Sequence, residues 1–163
     1  MEWNKHIIRG IIVLLIQILI LNQLQFFGIC HPYIFILFLM MMPITISRPG
    51  EMILAAAVGL LMDLFSNSLG VHMAACVLLS YLRRPMISNL VMDDKRLKGE
   101  INSQTIGKNY LKYAAILVII YHVVVVMLSA WSFDHLGFNV LQILFSSLIS
   151  GFMILGYDIL QSK

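Results

Sequence analysis

The feature that most constrains this chain is a set of long apolar runs that carry almost no charge. The two longest, about Tyr110 to Trp131 and Phe138 to Tyr157, match the ~20 residues that a helix needs to cross ~30 Å of hydrocarbon. Hydrophobic residues make up 60% of the 163 residues and charged residues only 12%, which leaves too little polar surface to cover a water-soluble globule. The chain is therefore expected to be an integral membrane protein.

The sequence predicts an all-α bundle of six membrane-spanning helices in a single domain over residues 1–163. We place the helices at about 10–27, 33–46, 52–65, 69–82, 110–131 and 138–157, with an inner loop over 83–109. Helices three and four are short, and the alternative is one broken helix that crosses once and reduces the count to five. The first helix is expected to be retained, because no signal-peptide cleavage site follows it at Asn22 to Gln25.

The basic residues favour the six-span topology with both termini inside. All eleven Lys and Arg residues then lie on the inner side, whereas the outer turns near His31, Asn67 and His135 hold none. Joining helices three and four into one span would place most of these charges outside. The net charge of +3 needs no nucleic-acid partner, because basic residues at these places orient helices and contact anionic membrane lipids.

The inner loop contains a pattern that predicts a helix lying in the membrane interface. Apolar residues recur there at roughly helical spacing opposite a group of charges, namely Met86, Ile87, Leu90, Val91 and Leu97 against Asp93, Asp94, Lys95 and Lys98. Two interpretations stay open for this segment. It is either a docking surface for a partner or a solvated loop that sets the topology.

One carboxylate interrupts the third apolar run. Asp63 comes just before residues 66–70, which include Ser, Asn and Gly, the types that form turns readily. Three roles are open for it: capping the N-terminus of helix four, pairing with a polar group across the bundle, or carrying ions or protons. Its possible intramembrane companions include no second carboxylate, which argues against an ion-coupled pump; they are Gln17, Asn22, His72 and His122.

The sequence contains no spacing that indicates an enzyme or a metal centre. The five histidines lack HxxxH and HExxH spacing, Cys30 and Cys76 have no neighbouring ligand, and GxSxG, P-loop and GxGxxG motifs are absent. An intramembrane enzyme would need two polar catalytic groups at one depth, and Asp63 with His72 is the candidate pair. We therefore predict a binding protein without catalytic residues, cofactor or metal.

Two amide residues, a proline and pairs of small residues suggest how the helices pack. Gln17 and Asn22 are candidates for hydrogen bonds between helices, although a five-residue separation places them on only loosely related faces. Pro43 is expected to kink helix two. Small residues four apart predict close helix contacts, either within the bundle or with a partner, at the pairs Ala55 and Gly59, Gly70 and Ala74, and Ser147 and Gly151.

The first half of the chain resembles the family of the rod shape-determining protein MreD. The resemblance covers residues 10 to 85 and is carried by Gln17, Asn22, Phe27-Gly28, Pro32 and the stretch AAAVGLLMDLFSNSLGVHMAACVLLSYLRRP. Its most specific positions are Gly59, Leu60, Asp63, Leu64, Leu69 and Gly70. The chain differs from the family in having Asn67 and Ser68 where many members have Gly and Pro.

This resemblance implies a non-enzymatic scaffold in the bacterial inner membrane that helps to organise cell elongation. The implied partner is the bitopic protein MreC and, through it, the MreB filament and the peptidoglycan glycosyltransferase and transpeptidase. It also implies the fold of the substrate-binding subunits of energy-coupling-factor vitamin transporters, six helices with an outward-facing cavity. The expected structural or interaction residues are Asp63, Gly59, Leu69, Gly70, His72, Asn22 and Pro32.

The similarity to those transporters supplies the alternative function, a small-molecule-binding membrane subunit of such an importer. Helix one of those subunits usually carries an Ala-x-x-x-Ala face that docks the coupling subunit. Here helix one reads GIIVLLIQILILNQL, which contains no such pair. The importer interpretation therefore lacks its docking surface.

Overall fold

The computed structural model describes residues 2–23, 30–90, 101–130 and 136–161. These residues form helices, turns and connecting segments, and none of them forms a β-strand element. The helices are α1 (Glu2–Leu19), α2 (Ile36–Met40), α3 (Arg48–Ser66), α4 (Val71–Leu90), α5 (Ser103–Ile106), α6 (Tyr110–Ser129) and α7 (Leu136–Gln161), with 3₁₀ turns at Leu21–Gln23 and Gly107–Asn109.

Three stretches of the described chain are long and apolar enough to cross a membrane. They are Arg48–Ser66, Ser103–Ser129 and Leu136–Leu160, and a shorter apolar helix covers Ile7–Gln23. Large apolar side chains point outward from these helices, as lipid-facing surfaces require. The expectation of an all-helical membrane protein is confirmed at this level.

The helices α3 and α4 form an antiparallel hairpin with well-defined ends. The side chain of Ser47 caps the start of α3 by accepting a hydrogen bond from the Gly50 N–H. At the other end of α3, Asn67 takes the left-handed conformation and its N–H donates to the Asp63 carbonyl. Gly70, with a φ of +80°, then turns the chain into α4.

The two helices of the hairpin approach each other closely at a glycine. A Cβ atom on Gly59 would lie 2.5 Å from the Cα of Met73, so only glycine fits there. At the far end of the hairpin, Glu51 of α3 pairs with Arg83 and Arg84 of α4. We call the end with the turn over residues 67–70 the hairpin end, and the end with these three charged residues the arginine end.

The long helix α6 packs along the hairpin, antiparallel to α4. Tyr121 lies beside His72 near the hairpin end, and Tyr113 contacts Arg83 at the arginine end. The last helix, α7, packs along α6 in the opposite direction, so α6 and α7 form a second antiparallel pair. The core lies between these pairs and around α2.

The prediction of one continuous helix over 33–46 is wrong. The structure has a helix only at Ile36–Met40, and most of its side chains are fully buried. Pro43 has no N–H for a helical hydrogen bond and disfavours helical backbone at Met42, so α2 ends at Met40, just before these residues, and is not a kinked longer helix. The residues before α2 are also non-helical and depend on side chains from other elements, as described below.

The prediction of an inner loop over 83–109 is wrong for its first residues, 83–90, which are helical. The fourth helix continues past its predicted end at Leu82 as far as Leu90, and Ile87, assigned to an interfacial helix, is buried in the core. The helix continues because Arg83 and Arg84 are paired with Glu51 rather than free in a loop. The remaining residues of the predicted interfacial helix, Val91 to Lys98, lie outside the described residues.

The other predicted helices differ from the structure mainly at their ends. The first helix begins before Gly10 and gives way to a 3₁₀ turn after Leu19, and its predicted end at Phe27 lies outside the described residues. The third, fifth and sixth predicted helices correspond to α3, α6 and α7. His135 and Trp131 lie outside the described residues.

Candidate functional site: the capped hairpin and a polar cavity

The buried carboxylate of Asp63 joins the two helices of the hairpin. Its Oδ1 accepts hydrogen bonds from the backbone N–H of His72 at 2.9 Å and from the hydroxyl of Ser68 at 2.6 Å. Its Oδ2 accepts from the backbone N–H of Met73 at 2.9 Å. These N–H groups belong to the first turn of α4, where no partner exists within the helix. Of the three roles considered for Asp63, the structure shows the first, a cap on helix four.

This cap uses both oxygens of a residue that is only 4% exposed. The negative charge lies at the positive end of the α4 dipole, and its hydrogen bonds are charge-assisted. Because Asp63 itself belongs to the last turn of α3, the same contacts also hold the end of α3 against the start of α4. The carboxylate therefore joins the two helices at the hairpin end, and we call this set of hydrogen bonds the clasp of the hairpin.

The tip of the hairpin exposes large apolar side chains. Leu69 is 98% exposed, and Leu64 and Phe65 are also largely exposed beside it. The left-handed backbone of Gly70 places Leu69 at this position, and a side chain on Gly70 would meet no other atom. Gly70 is thus required for its backbone conformation, in contrast to a glycine needed for space.

Gln17 supports the non-helical segment before α2. Its Nε2 donates to the carbonyl of Pro32 and to Oδ1 of Asn22, and its Oε1 accepts from the N–H of Ile34 at 2.8 Å. Asn22 in turn donates to the hydroxyl of Ser66 at 3.2 Å. The expectation that Gln17 and Asn22 lie on loosely related faces is wrong, because the 3₁₀ turn after α1 brings them together. Through them α1 contacts both Pro32 and the hairpin.

Two serines of α7, which the sequence analysis did not single out, complete the support of this segment. The hydroxyl of Ser146 accepts from the N–H of His31 at 3.0 Å, and that of Ser150 accepts from the N–H of Tyr33 at 2.9 Å. Non-helical backbone at membrane depth is tolerated only where protein groups or a water-lined cavity satisfy it, and here the two serines supply acceptors. Their spacing of four on one helix face is the signal by which the sequence points to them.

His72 occupies a packed aromatic cluster and does not pair with Asp63 through its side chain. Its Nδ1 lies 2.6 Å from the hydroxyl of Tyr121, and its ring packs edge-on against Tyr33 at 5.1 Å between centroids. Asp63 contacts only the backbone N–H of His72. The candidate catalytic pair is therefore not arranged as a side-chain dyad.

A polar cavity of about 290 Å³ opens at the hairpin end. Its described lining contains amides, hydroxyls and imidazoles but no Asp, Glu, Lys or Arg, and includes Gln17, Asn22, His31, Tyr33, Ser68 and His72. Burial lowers the pKa of His31, which favours its neutral form at pH 7. The cavity thus offers uncharged donors and acceptors.

A buried ionic network at the arginine end was missed by the sequence analysis. Arg83 is fully buried and pairs with Glu51, and its Nε also contacts the Met40 carbonyl and the Tyr113 hydroxyl at 3.2 and 3.1 Å. Arg84 donates to the second oxygen of Glu51 at 2.7 Å. The sequence signal for this network was the spacing of the charges. Glu51 and the two arginines lie about equally far from the turn, so an antiparallel hairpin brings them together.

A metal centre does not emerge from the described part of the chain. No group of three or more His, Cys, Asp or Glu side chains there is arranged to hold an ion. Cys30 and Cys76 are both buried and free. They act as small apolar residues in the packing.

The chain matches no family model, and neither the curated proteins nor the solved structures contain a match to it. The resemblance to the MreD family therefore rests on the residues quoted above and stays a prediction. The geometry assigns a structural reason to three of its most specific positions. Gly59 permits close packing, Asp63 caps α4, and Gly70 forms the turn.

Proposed function

We propose that this protein is a non-enzymatic scaffold of the bacterial inner membrane, of the MreD type, that binds a partner through the hairpin end. The proposed partner is MreC, with the MreB filament and the peptidoglycan glycosyltransferase and transpeptidase joined indirectly. The observation that carries the proposal is the clasped hairpin with an exposed apolar tip. A scaffold needs such a rigid, outward-pointing element to recognise its partner.

The direction of the helices supports a six-crossing arrangement, like that of the substrate-binding subunits of energy-coupling-factor transporters. α1, α3 and α6 run toward the hairpin end, and the segment 30–46, α4 and α7 run back. The segment 33–46 and α4 would cross within the bundle, because the N–H groups of Tyr33 and Ile34 and the two arginines of α4 are paired with neighbouring elements. The positive-inside rule then places the arginine end and both termini in the cytoplasm.

The apolar tip is the surface that we assign to the partner. Leu69 projects from the turn, which under this topology lies on the outer side of the membrane, and Leu64 and Phe65 are exposed on the adjoining last turn of α3. A partner that covers Leu69 gains roughly 25 cal/mol for each Å² of apolar surface removed from water. The clasp by Asp63 presents the tip in one conformation, so little ordering entropy is lost on binding.

Capture of partners from native membranes tests this proposal. Tagged wild-type protein, a Leu69→Glu variant and a Leu160→Glu variant are purified in detergent, and co-purifying proteins are identified by mass spectrometry. Leu160 is a matched control because it is also a highly exposed leucine, located on α7 toward the arginine end. We expect MreC and cell-wall synthases with the wild type and with Leu160→Glu, and their loss with Leu69→Glu. Their absence from the wild-type eluate refutes the proposal.

The polar cavity supports a second candidate function, the binding subunit of an energy-coupling-factor importer. A cavity with uncharged hydrogen-bonding groups is suited to hold a small molecule. The α1 helix argues against this candidate, because its described exposed residues are bulky and include no pair of small residues for docking. An ATPase pair with a coupling subunit, or a stoichiometric vitamin, in the same eluate would establish the importer instead.

A further inference from the structure

The polar cavity contains hydrogen-bonding groups that find no partner among the described residues. Some of the lining side chains already form hydrogen bonds within the protein, namely those of Gln17, Asn22 and Ser68. In contrast, no hydrogen bond within the described residues involves the side chain of His31 or the hydroxyl of Tyr33. The same holds for the side chains of Gln23 and Ser129, which also line the cavity. Unused donors and acceptors that converge on one cavity indicate a polar ligand.

The described lining of the cavity contains no charged side chain, which indicates that the ligand is neutral. The described lining contains no Lys or Arg to bind an anion, since the basic residues Arg83 and Arg84 are at the opposite end of the hairpin. Among the described residues, the carboxylate of Asp63 adjoins the lining and would attract a cation, but both of its oxygens already accept hydrogen bonds from α4 and the turn. A charged ligand would therefore find no free partner of opposite charge among the described lining residues.

The size and rim of the cavity limit the ligand further. A volume of about 290 Å³ has room for roughly ten waters at about 30 Å³ each, which is enough for one substituted six-membered ring. Amide, imidazole and hydroxyl side chains pair well with hydroxyl groups, each of which both donates and accepts. Leu21, Phe65 and Val125 add apolar surface to the lining.

We propose that this cavity binds one neutral hydroxylated ring of about monosaccharide size, supplied either as a free sugar or as the headgroup of a glycolipid. This inference goes beyond the proposed partner binding at the hairpin tip, and it is tested on purified protein without partners. Failure to bind a sugar and failure to capture MreC are therefore separate results.

Binding is measured with the full chain purified in octaethylene glycol dodecyl ether, a detergent that has no sugar. The first probe is methyl β-glucoside, titrated by calorimetry. The second is monoglucosyl diacylglycerol in nanodiscs of phosphatidylethanolamine and phosphatidylglycerol, detected by native mass spectrometry. Tyr33→Phe and Ser129→Ala remove single hydroxyls from the cavity, and Tyr81→Phe is the matched control because Tyr81 is exposed on α4 outside the lining.

We expect saturable binding of at least one probe and a Kd about 2- to 10-fold weaker for Tyr33→Phe, the effect of losing one hydrogen bond. Ser129→Ala should weaken binding in the same direction, and Tyr81→Phe should bind as the wild type does. Binding of methyl β-glucoside identifies the free sugar as sufficient, whereas binding of the glycolipid alone identifies a headgroup site. Binding of neither probe, or equal affinity for Tyr33→Phe and the wild type, overturns the proposal. Tighter binding of glucose 6-phosphate than of methyl β-glucoside overturns its neutral character.

Discussion

Replacing Asp63 by alanine removes the clasp of the hairpin and lowers stability by an amount that the geometry predicts. The substitution leaves the N–H groups of His72 and Met73 without their acceptor. Losing a helix N-cap costs about 0.5–2 kcal/mol, and leaving a buried donor unpaired costs about 1–3 kcal/mol. Water from the polar cavity next to the turn replaces part of this bonding. We therefore expect a loss of about 2–4 kcal/mol in the free energy of unfolding.

Asp63→Asn separates charge from hydrogen bonding. The amide oxygen can still accept from His72 and Ser68, but the amide NH₂ then faces the N–H of Met73. We expect a smaller loss than for alanine, about 1–2 kcal/mol. Recovery of partner capture by Asp63→Asn, beside its loss in Asp63→Ala, would show that capping and not ionisation is what the function needs.

Thermal unfolding in detergent, followed by size-exclusion chromatography of the heated samples, measures these losses. For a chain of this size about 1 kcal/mol corresponds to about 2–4 °C, so Asp63→Ala should lower the Tm by about 4–16 °C. Ser66→Ala is the matched control, because its exposed hydroxyl in the same helical turn makes one bond, to Asn22. If Asp63→Ala melts at the wild-type temperature and assembles normally, the carboxylate does not hold the hairpin and the reasoning is wrong.

Three further predictions use the same stability assay. Gly59→Ala should cost about 1–3 kcal/mol by overpacking, while Gly151→Ala, whose added methyl meets no atom within 4 Å, should leave the Tm unchanged; equal effects would contradict the close helix contact. Glu51→Gln should cost about 3–5 kcal/mol because Arg83 is left buried without its charge partner. The lowered pKa of His31 means that the folded state binds fewer protons than the unfolded state below about pH 6.5, so stability should fall as the pH drops through that range and His31→Gln should flatten the profile.

The hairpin could be predicted from the sequence because its determinants are close together in the chain. An apolar run, a carboxylate, a turn-forming stretch and a second apolar run occur within residues 55–85. The sequence left the role of Asp63 open, because a cap and a pair across the bundle need the same residue type. Only the distances to the N–H groups of His72 and Met73 distinguish them.

The second apolar run could not be predicted correctly because its structure depends on distant residues. Hydropathy indicates a helix over 33–46, yet the hydrogen bonds of the preceding backbone go to Gln17, Ser146 and Ser150. Two of these partners are 115 and 117 residues away in the sequence. Local propensity contains no information about such contacts. The arginine network was missed for a similar reason, since Arg83 and Arg84 resemble ordinary topology-setting charges until Glu51 is placed beside them.

The dependence of the segment before α2 on α7 sets an order for biosynthesis. The N–H groups of His31 and Tyr33 are synthesised long before the serine hydroxyls that accept from them. Until α7 is inserted, these donors lack their protein acceptors and depend on water from the polar cavity, which His31 and Tyr33 line. The first half of the protein therefore reaches its final form only after the last helix leaves the ribosome. A chain terminated after α6 should be recognised as unfinished and degraded by membrane proteases, although its hairpin is intact.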